Sequence, residues 1–150
     1  MSNLYYDPGA PGNGGRKVML ATPSYAGPSC AYVFAIASTR EAMHVAGLPT
    51  AYLLLEGNCH VDDSRNAIVR HFLASDCTEL VFLDADVSWL PEHLIALCGF
   101  DCDMVGGIYP YRRENDGETL PVSVLPDRYM ENGLIEVQGL PTGFLRIRRT

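Results

Sequence analysis

The segment from Glu79 to Trp89 constrains this chain most. Leu80-Val81-Phe82-Leu83 is an unbroken apolar run, and Asp84 and Asp86 follow it directly. A short β-rich apolar run that ends in polar residues reads as a strand buried on both faces. In an open α/β sheet, ligands bind at the carboxyl ends of such strands. Residues two apart on extended chain point the same way. Two carboxylates so placed repel each other unless a cation neutralises them. A hard divalent ion with oxygen ligands does this and leaves coordination positions for phosphate oxygens. The expectation is a metal-bridged phosphate site at Asp84 and Asp86. Asp101 and Asp103 repeat the same spacing, but no comparable hydrophobic strand delivers them, so they read as a solvated turn.

A chain of 150 residues is long enough for one domain with a real core. Its net charge of -7 argues against general nucleic-acid or anionic-membrane binding. Arg146, Arg148 and Arg149 form a local basic cluster that reads as a solvated strand end. No stretch is apolar enough for a membrane span, and Met1 to Gly15 lacks the apolar core of a signal peptide. The cysteines Cys30, Cys59, Cys77, Cys98 and Cys102 are odd in number and lack paired zinc spacing. Reduced core thiols and a cytoplasmic setting are the expectation.

Residues 1–16, rich in Gly and Pro, read as a flexible leader. Lys17 to Pro23 reads as the first strand. A helix is predicted from Ser29 to Ala46, with Ser29 as N-cap, Gly47 as C′ residue, and Tyr32, Ile36, Met43 and Ala46 on one buried face. Thr22 and Tyr25 fall at the ligand end of this strand–loop–helix unit. Tyr25 reads equally as a loop aromatic packed on the sheet edge. Thr50 to Leu55 is the second strand, and Glu56-Gly57-Asn58 is its exit. Asp62 or Asp63 should cap the next helix. Arg65 then lies near a helix N-terminus, where a cation opposes the macrodipole. A bound anion would relieve this, and so would a salt bridge to Asp62 or Asp63. Pro91 opens a short helix to Cys98. Met104 to Pro110 reads as a strand whose Gly106 and Gly107 permit close approach. Leu120 to Leu125 and Leu134 to Val137 read as antiparallel strands, and Phe144 to Arg148 as a last alternating strand. The pattern is α/β, beginning as strand–helix units and ending β-rich.

Taken in order, Thr22-Pro23-Ser24-Tyr25, Ser64-Arg65-Asn66, Leu83-Asp84-Ala85-Asp86, Asp103 to Pro110 and Pro141-Thr142-Gly143-Phe144 resemble the nucleotide-sugar-binding core of GT-A fold glycosyltransferases, family-2-like, of bacterial and phage type. The resemblance spans roughly residues 17 to 149. It implies a three-layer α/β/α Rossmann-like sheet, mostly parallel, with antiparallel strands in the C-terminal part. It implies a domain over residues 17–150 that binds a nucleotide-diphospho-sugar donor and transfers the sugar to a hydroxyl acceptor. Asp86 would coordinate Mn²⁺ or Mg²⁺, and Asp84 would contact the ribose, or the metal through water. Thr22, Pro23 and Tyr25 would line the nucleoside pocket with Glu56 or Asn58. Arg65 would lie beside the diphosphate or ribose, Gly106 and Gly107 would flank the sugar and acceptor region, and the turn at Thr142 and Gly143 would close the pocket wall.

The family's catalytic base usually comes in a Glu-Asp pair on a helix after the Thr-Gly-Phe strand. The sequence shows no such helix after Phe144, so the expectation is a truncated or partial domain, or a minimal form that borrows residues from a partner, with donor binding retained more fully than turnover. A non-catalytic nucleotide-sugar-binding or assembly domain is the alternative. A nucleotidyltransferase would need a Gly-rich basic loop after the first strand, and Thr22 to Ser29 has one Gly and no Lys or Arg. The last strand alternates apolar with basic residues, which predicts uncovered sheet surface and a homo-oligomer.

Overall fold

The computed structural model describes residues 2–12, 14–109, 123–129 and 132–149. In chain order the elements are β1 (Asn3–Asp7), β2 (Val18–Ser24), α1 (Cys30–Val45), β3 (Thr50–Glu56), α2 (Val61–Ala74), β4 (Glu79–Leu83), α3 (Pro91–Gly99), β5 (Met104–Gly106), β6 (Ser123–Tyr129), β7 (Ile135–Gly139) and β8 (Phe144–Arg148). The main sheet runs β1-β3-β2-β4-β8-β5, and β6 pairs with β7 in a separate two-stranded sheet. The expected strand beginning at Leu120 and the polar turn at 114–118 fall wholly or partly outside the described residues.

The protein is a mixed α/β fold with three helices among the described residues. The sheet is not mostly parallel. β2 runs parallel to β3 and to β4, whereas the β1–β3, β4–β8 and β5–β8 pairings are antiparallel. The strand–helix units give the parallel centre, because a parallel neighbour needs a crossover. β1 and β8 then add antiparallel strands on either side of it.

Local signals account for the helices. Ser29 is extended, and its hydroxyl accepts from the Tyr32 amide at 3.2 Å, so α1 starts where a cap occurs. Gly47 ends it with φ 68°, a left-handed conformation that glycine adopts without a Cβ penalty. The buried face of α1 is Tyr32, Ala35, Thr39 and Met43, while Ala46 is exposed. For α2 the N-cap is His60, without a side-chain cap bond; Asp62 and Asp63 sit in the first turn instead, where their charge complements the helix dipole. α3 opens with Pro91, which has no amide hydrogen to lose in a first turn.

Core packing puts helices on both faces of the sheet. Val18, Leu20, Val81 and Leu83 meet Tyr32 and Met43 of α1 and Leu94 and Leu97 of α3. Met19, Ala21, Leu80 and Phe82 point the other way, against Ile68 and Phe72 of α2. β4 is buried at every position. Each such aliphatic or aromatic side chain contributes about 1.5–3 kcal/mol through the area it removes from water.

Two segments differ from their expected form. Asn3–Asp7, within the expected leader, is an edge strand in register with β3, Tyr5 opposite Leu54. Tyr5 and Tyr6 are strand formers, and the Gly- and Pro-rich composition begins only at Pro8. Further bonds tie the rest of this segment down. The Gly12 amide donates to Asp76 at 3.2 Å, and the buried Lys17 ammonium bonds both Asp76 oxygens at 2.8 and 2.9 Å.

β8 also departs from its reading as a solvated strand end. It is an interior strand, paired to β4 on one side and β5 on the other, and Phe144 and Leu145 are buried. Arg146 is not solvated but 0% exposed. Its Nη1 donates to Glu79 Oε2 at 3.0 Å, and its Nη2 donates to the carbonyls of Phe100 and Cys102 at 2.8 and 2.7 Å. Arg16 binds the other Glu79 oxygen at 2.6 Å. Burial pushes the Glu79 carboxyl up, but the Arg16 and Arg146 bonds win and hold it below its ordinary value.

Candidate functional site

The site forms where the strand order reverses. From β2 the chain crosses through α1 to β3 on one side, then returns through α2 to β4 on the other. The exits of β2 and β4 therefore diverge and leave a crevice between them. Two contacts shape its walls. Ser24 Oγ accepts the Gly27 amide at 3.0 Å, which folds the loop after β2, and Gly27 takes a positive φ of 92°. The Ser29 amide then donates to the Ala85 carbonyl at 2.8 Å, joining this loop to the one after β4.

The cleft holds about 350 Å³ and is lined by Pro23 and Ser24 from the end of β2, Tyr25 from the loop after it, Val61 from the start of α2, and Asp84, Ala85 and Asp86 from the loop after β4. Asp84 is held from three directions. Its amide donates to the Gly143 carbonyl at 2.9 Å, its carbonyl accepts from Val87 at 3.1 Å, and its Oδ1 accepts from Arg65 Nη2 at 2.8 Å. Asp86 is exposed at the mouth. Behind the turn, the Trp89 indole donates to buried Thr39 at 2.8 Å and packs its ring on Tyr32 and Phe144. The segment leaving Asp86 is thereby pinned to the core.

The expected site residues divide. Pro23 and Tyr25 line the cleft with both carboxylates; Tyr25 is 70% exposed, so it is not packed on the sheet edge. Thr22 is buried behind the wall with its hydroxyl bonded to that of Tyr32, so it supports the cleft rather than lining it. Glu56 stands behind Gly27, whose Cβ position lies 3.7 Å from Oε1. Asn58 spends its side-chain oxygen on the His60 amide at 3.0 Å. Arg65 pairs with Asp84, not with Asp62 or Asp63. Its partner is far away in sequence, which is why local spacing pointed elsewhere.

Gly106 and Gly107 face a second cavity of about 350 Å³, shared with Trp89, His93 and Phe144. Packing already explains both glycines. A Cβ on Gly107 would come within 2.5 Å of the Phe144 ring, and one on Gly106 within 3.2 Å of Leu140. Asp101 bonds Arg148 at 2.9 Å. Arg148 lies opposite Glu79, at the end of β4 remote from the cleft, so the second aspartate pair is no part of it.

Gly143, expected in the turn that closes the pocket wall, meets Asp84; Tyr109 is the residue that sequence spacing did not bring there. The Gly143 amide donates to the Tyr109 hydroxyl at 3.1 Å. Burial raises the Tyr109 phenol above its ordinary value; the Gly143 bond pulls it down, Asp84 and Asp86 push it up, and Arg65 draws it down. Gly143 has no room for a side chain. A Cβ there would strike the Tyr109 hydroxyl and lie 2.7 Å from Asp84 Oδ2. We expect Gly143→Ala to displace both tips. The measurable result is a Tyr109 titration moved from its wild-type midpoint, by ultraviolet difference spectroscopy, with a stability loss of about 1–3 kcal/mol. An unchanged midpoint would show that Gly143 does not set this geometry.

Among the described residues, no three His, Cys, Asp or Glu side chains come together as a closed metal cage. Two carboxylates suit an ion that takes most of its ligands from a bound phosphate and water, as Mg²⁺ does. No helix among the described residues is long and apolar enough to cross a membrane. Comparison with protein-family models, with curated proteins and with solved structures finds no match.

Proposed function

We propose that the chain is the donor-binding core of a metal-dependent glycosyltransferase with a GT-A-type three-layer sheet. It takes a nucleotide-diphospho-sugar and passes the sugar to a hydroxyl acceptor. One observation carries this reading: Asp84 and Asp86 leave a fully buried strand into an open cleft at the point where the strand order reverses. Asp84 and Asp86 would hold Mn²⁺ or Mg²⁺, which supplies Lewis-acid neutralisation to a leaving diphosphate.

The chain's own residues have distinct tasks in this reading. Tyr25 offers an exposed aromatic face to a nucleobase. Arg65 offers positive charge behind the carboxylates. Trp89, packed on Tyr32 and Phe144, keeps the turn after Asp86 fixed, so charge is positioned before the donor arrives. A second reading, a donor-binding domain without transfer activity, is favoured by the adjoining cavity. Its described lining contains no carboxylate; His93 and Tyr109 are its titratable side chains.

Calorimetric titration with nucleoside diphosphates and sugar nucleotides, with and without Mn²⁺, tests the reading. Binding that requires Mn²⁺ is the expected outcome. Absence of Mn²⁺-dependent binding across the panel would refute it. Release of free nucleotide from a labelled donor then separates transfer or hydrolysis from binding alone.

A further inference from the structure

Arg65 and a divalent ion compete for one carboxylate. Arg65 Nη2 sits 2.8 Å from Asp84 Oδ1, and only 23% and 31% of the two side chains are exposed. The other oxygen, Oδ2, lies against Gly143, as the 2.7 Å approach of a Cβ there indicates. Asp84 thus presents one oxygen to a guanidinium and the other to a glycine. The guanidinium carbon lies 6.0 Å from the centroid of the Phe82 ring.

Arg65 is itself incompletely satisfied. Its Nε is buried and has no hydrogen-bond partner among the described residues. A buried donor left unpaired is costly, so this arrangement can give way to one in which a multidentate acceptor meets several nitrogens. Phosphate is such an acceptor, because the guanidinium fork matches its oxygens. With Arg65 in place, Asp84 is already neutralised, and a bare divalent ion gains little attraction from it. Once Arg65 turns to a phosphate, Asp84 recovers its full charge.

We infer that Arg65 is an exchangeable counter-ion of Asp84. It holds the carboxylate against a bare divalent ion and moves to phosphate when metal and diphosphate enter together. This rests on the donor-binding reading and adds to it an order of events: the metal enters with its diphosphate and not before it.

The test uses Mn²⁺ alone, followed by the electron paramagnetic resonance of the free ion, on wild type, Arg65→Gln and Arg65→Lys. Arg65→Gln should bind bare Mn²⁺ about tenfold more tightly, on the scale of one lost competing charged contact. Arg65→Lys keeps the charge and should stay near wild type. Equal or weaker Mn²⁺ binding by Arg65→Gln overturns the inference.

A second measurement needs no substitution. In the wild-type protein, the Arg65 Nε–H resonance should shift when Mg²⁺ and pyrophosphate are added together and stay in place with Mg²⁺ alone. A shift with Mg²⁺ alone, or none with saturating Mg²⁺ and pyrophosphate, overturns it equally. The donor reading fails separately: tighter Mn²⁺ binding by Arg65→Gln without any nucleotide binding by wild type would keep the exchange and reject the donor.

Discussion

Glu79→Gln is expected to destabilise the protein by about 3–5 kcal/mol at neutral pH, as removal of one partner from a buried ion pair does. Glu79 and Arg146 have side-chain exposures of 2% and 0%, so water cannot replace the lost charge. The amide leaves the Arg146 guanidinium buried without its counter-ion, and Arg146 Nε already lacks a partner. Arg16 adds less, because half of its side chain is in solvent. Replacing both partners by methionine should recover much of the loss, since well-packed apolar residues often match a buried pair.

The same pair predicts a pH dependence. The folded Glu79 carboxyl lies below its ordinary value. Its contribution is therefore complete above the unfolded value of about 4.3 and disappears as pH falls through the folded one. Urea melts at pH 7 and pH 3 should show a wide gap between wild type and Glu79→Gln at the higher pH and a narrow one at the lower. A constant gap would mean that Glu79 acts through packing and not through charge.

Asp86→Ala should weaken Mn²⁺-dependent binding of nucleoside diphosphates by about ten- to hundredfold, the scale of one charged contact. Asp101→Ala should leave that binding unchanged, because Asp101 is 97% exposed and paired with Arg148 at the far end of β4. Stability separates the two cleft carboxylates. Asp86→Ala at the exposed mouth should change it by less than about 0.5 kcal/mol. Asp84→Ala leaves the largely buried Arg65 unpaired and should cost about 1–3 kcal/mol. Calorimetry for binding and thermal melts for stability report both. Wild-type Mn²⁺-dependent affinity in Asp86→Ala would remove Asp86 from the site.

Local signals carried far in this sequence. The Ser29 cap, the Gly47 stop, the first-turn Pro91 and the apolar run of β4 all depend on neighbours in the chain, and the structure has each of them where sequence reasoning put it. What sequence reasoning missed depends on partners far along the chain. A charged residue in a strand such as β8 reads as solvent-facing unless its counter-ion is known, and Glu79 lies on another strand. Arg65 looked unfavourable near its own helix end because Asp84 enters from β4. The antiparallel edge strand β1 was also illegible, since nothing local to Leu4-Tyr5-Tyr6 says which neighbour it will have.

The insertion of β8 between β4 and β5 affects how this protein comes into being at the ribosome. Asp84 is made early, yet the Gly143 carbonyl that accepts its amide is about sixty residues further on. Pairing over such separation is slow relative to helix formation. The parallel centre β3-β2-β4 and its helices involve nearer neighbours and can assemble while synthesis continues, as domains commonly do. During that interval β4 has an open edge, and Glu79 and Asp84 lack partners that β8 and its preceding turn bring. A nascent chain halted before residue 143 would thus present an adhesive strand edge to other chains and a misshapen ligand pocket. The shaping of the cleft and protection from aggregation arrive in the same late step.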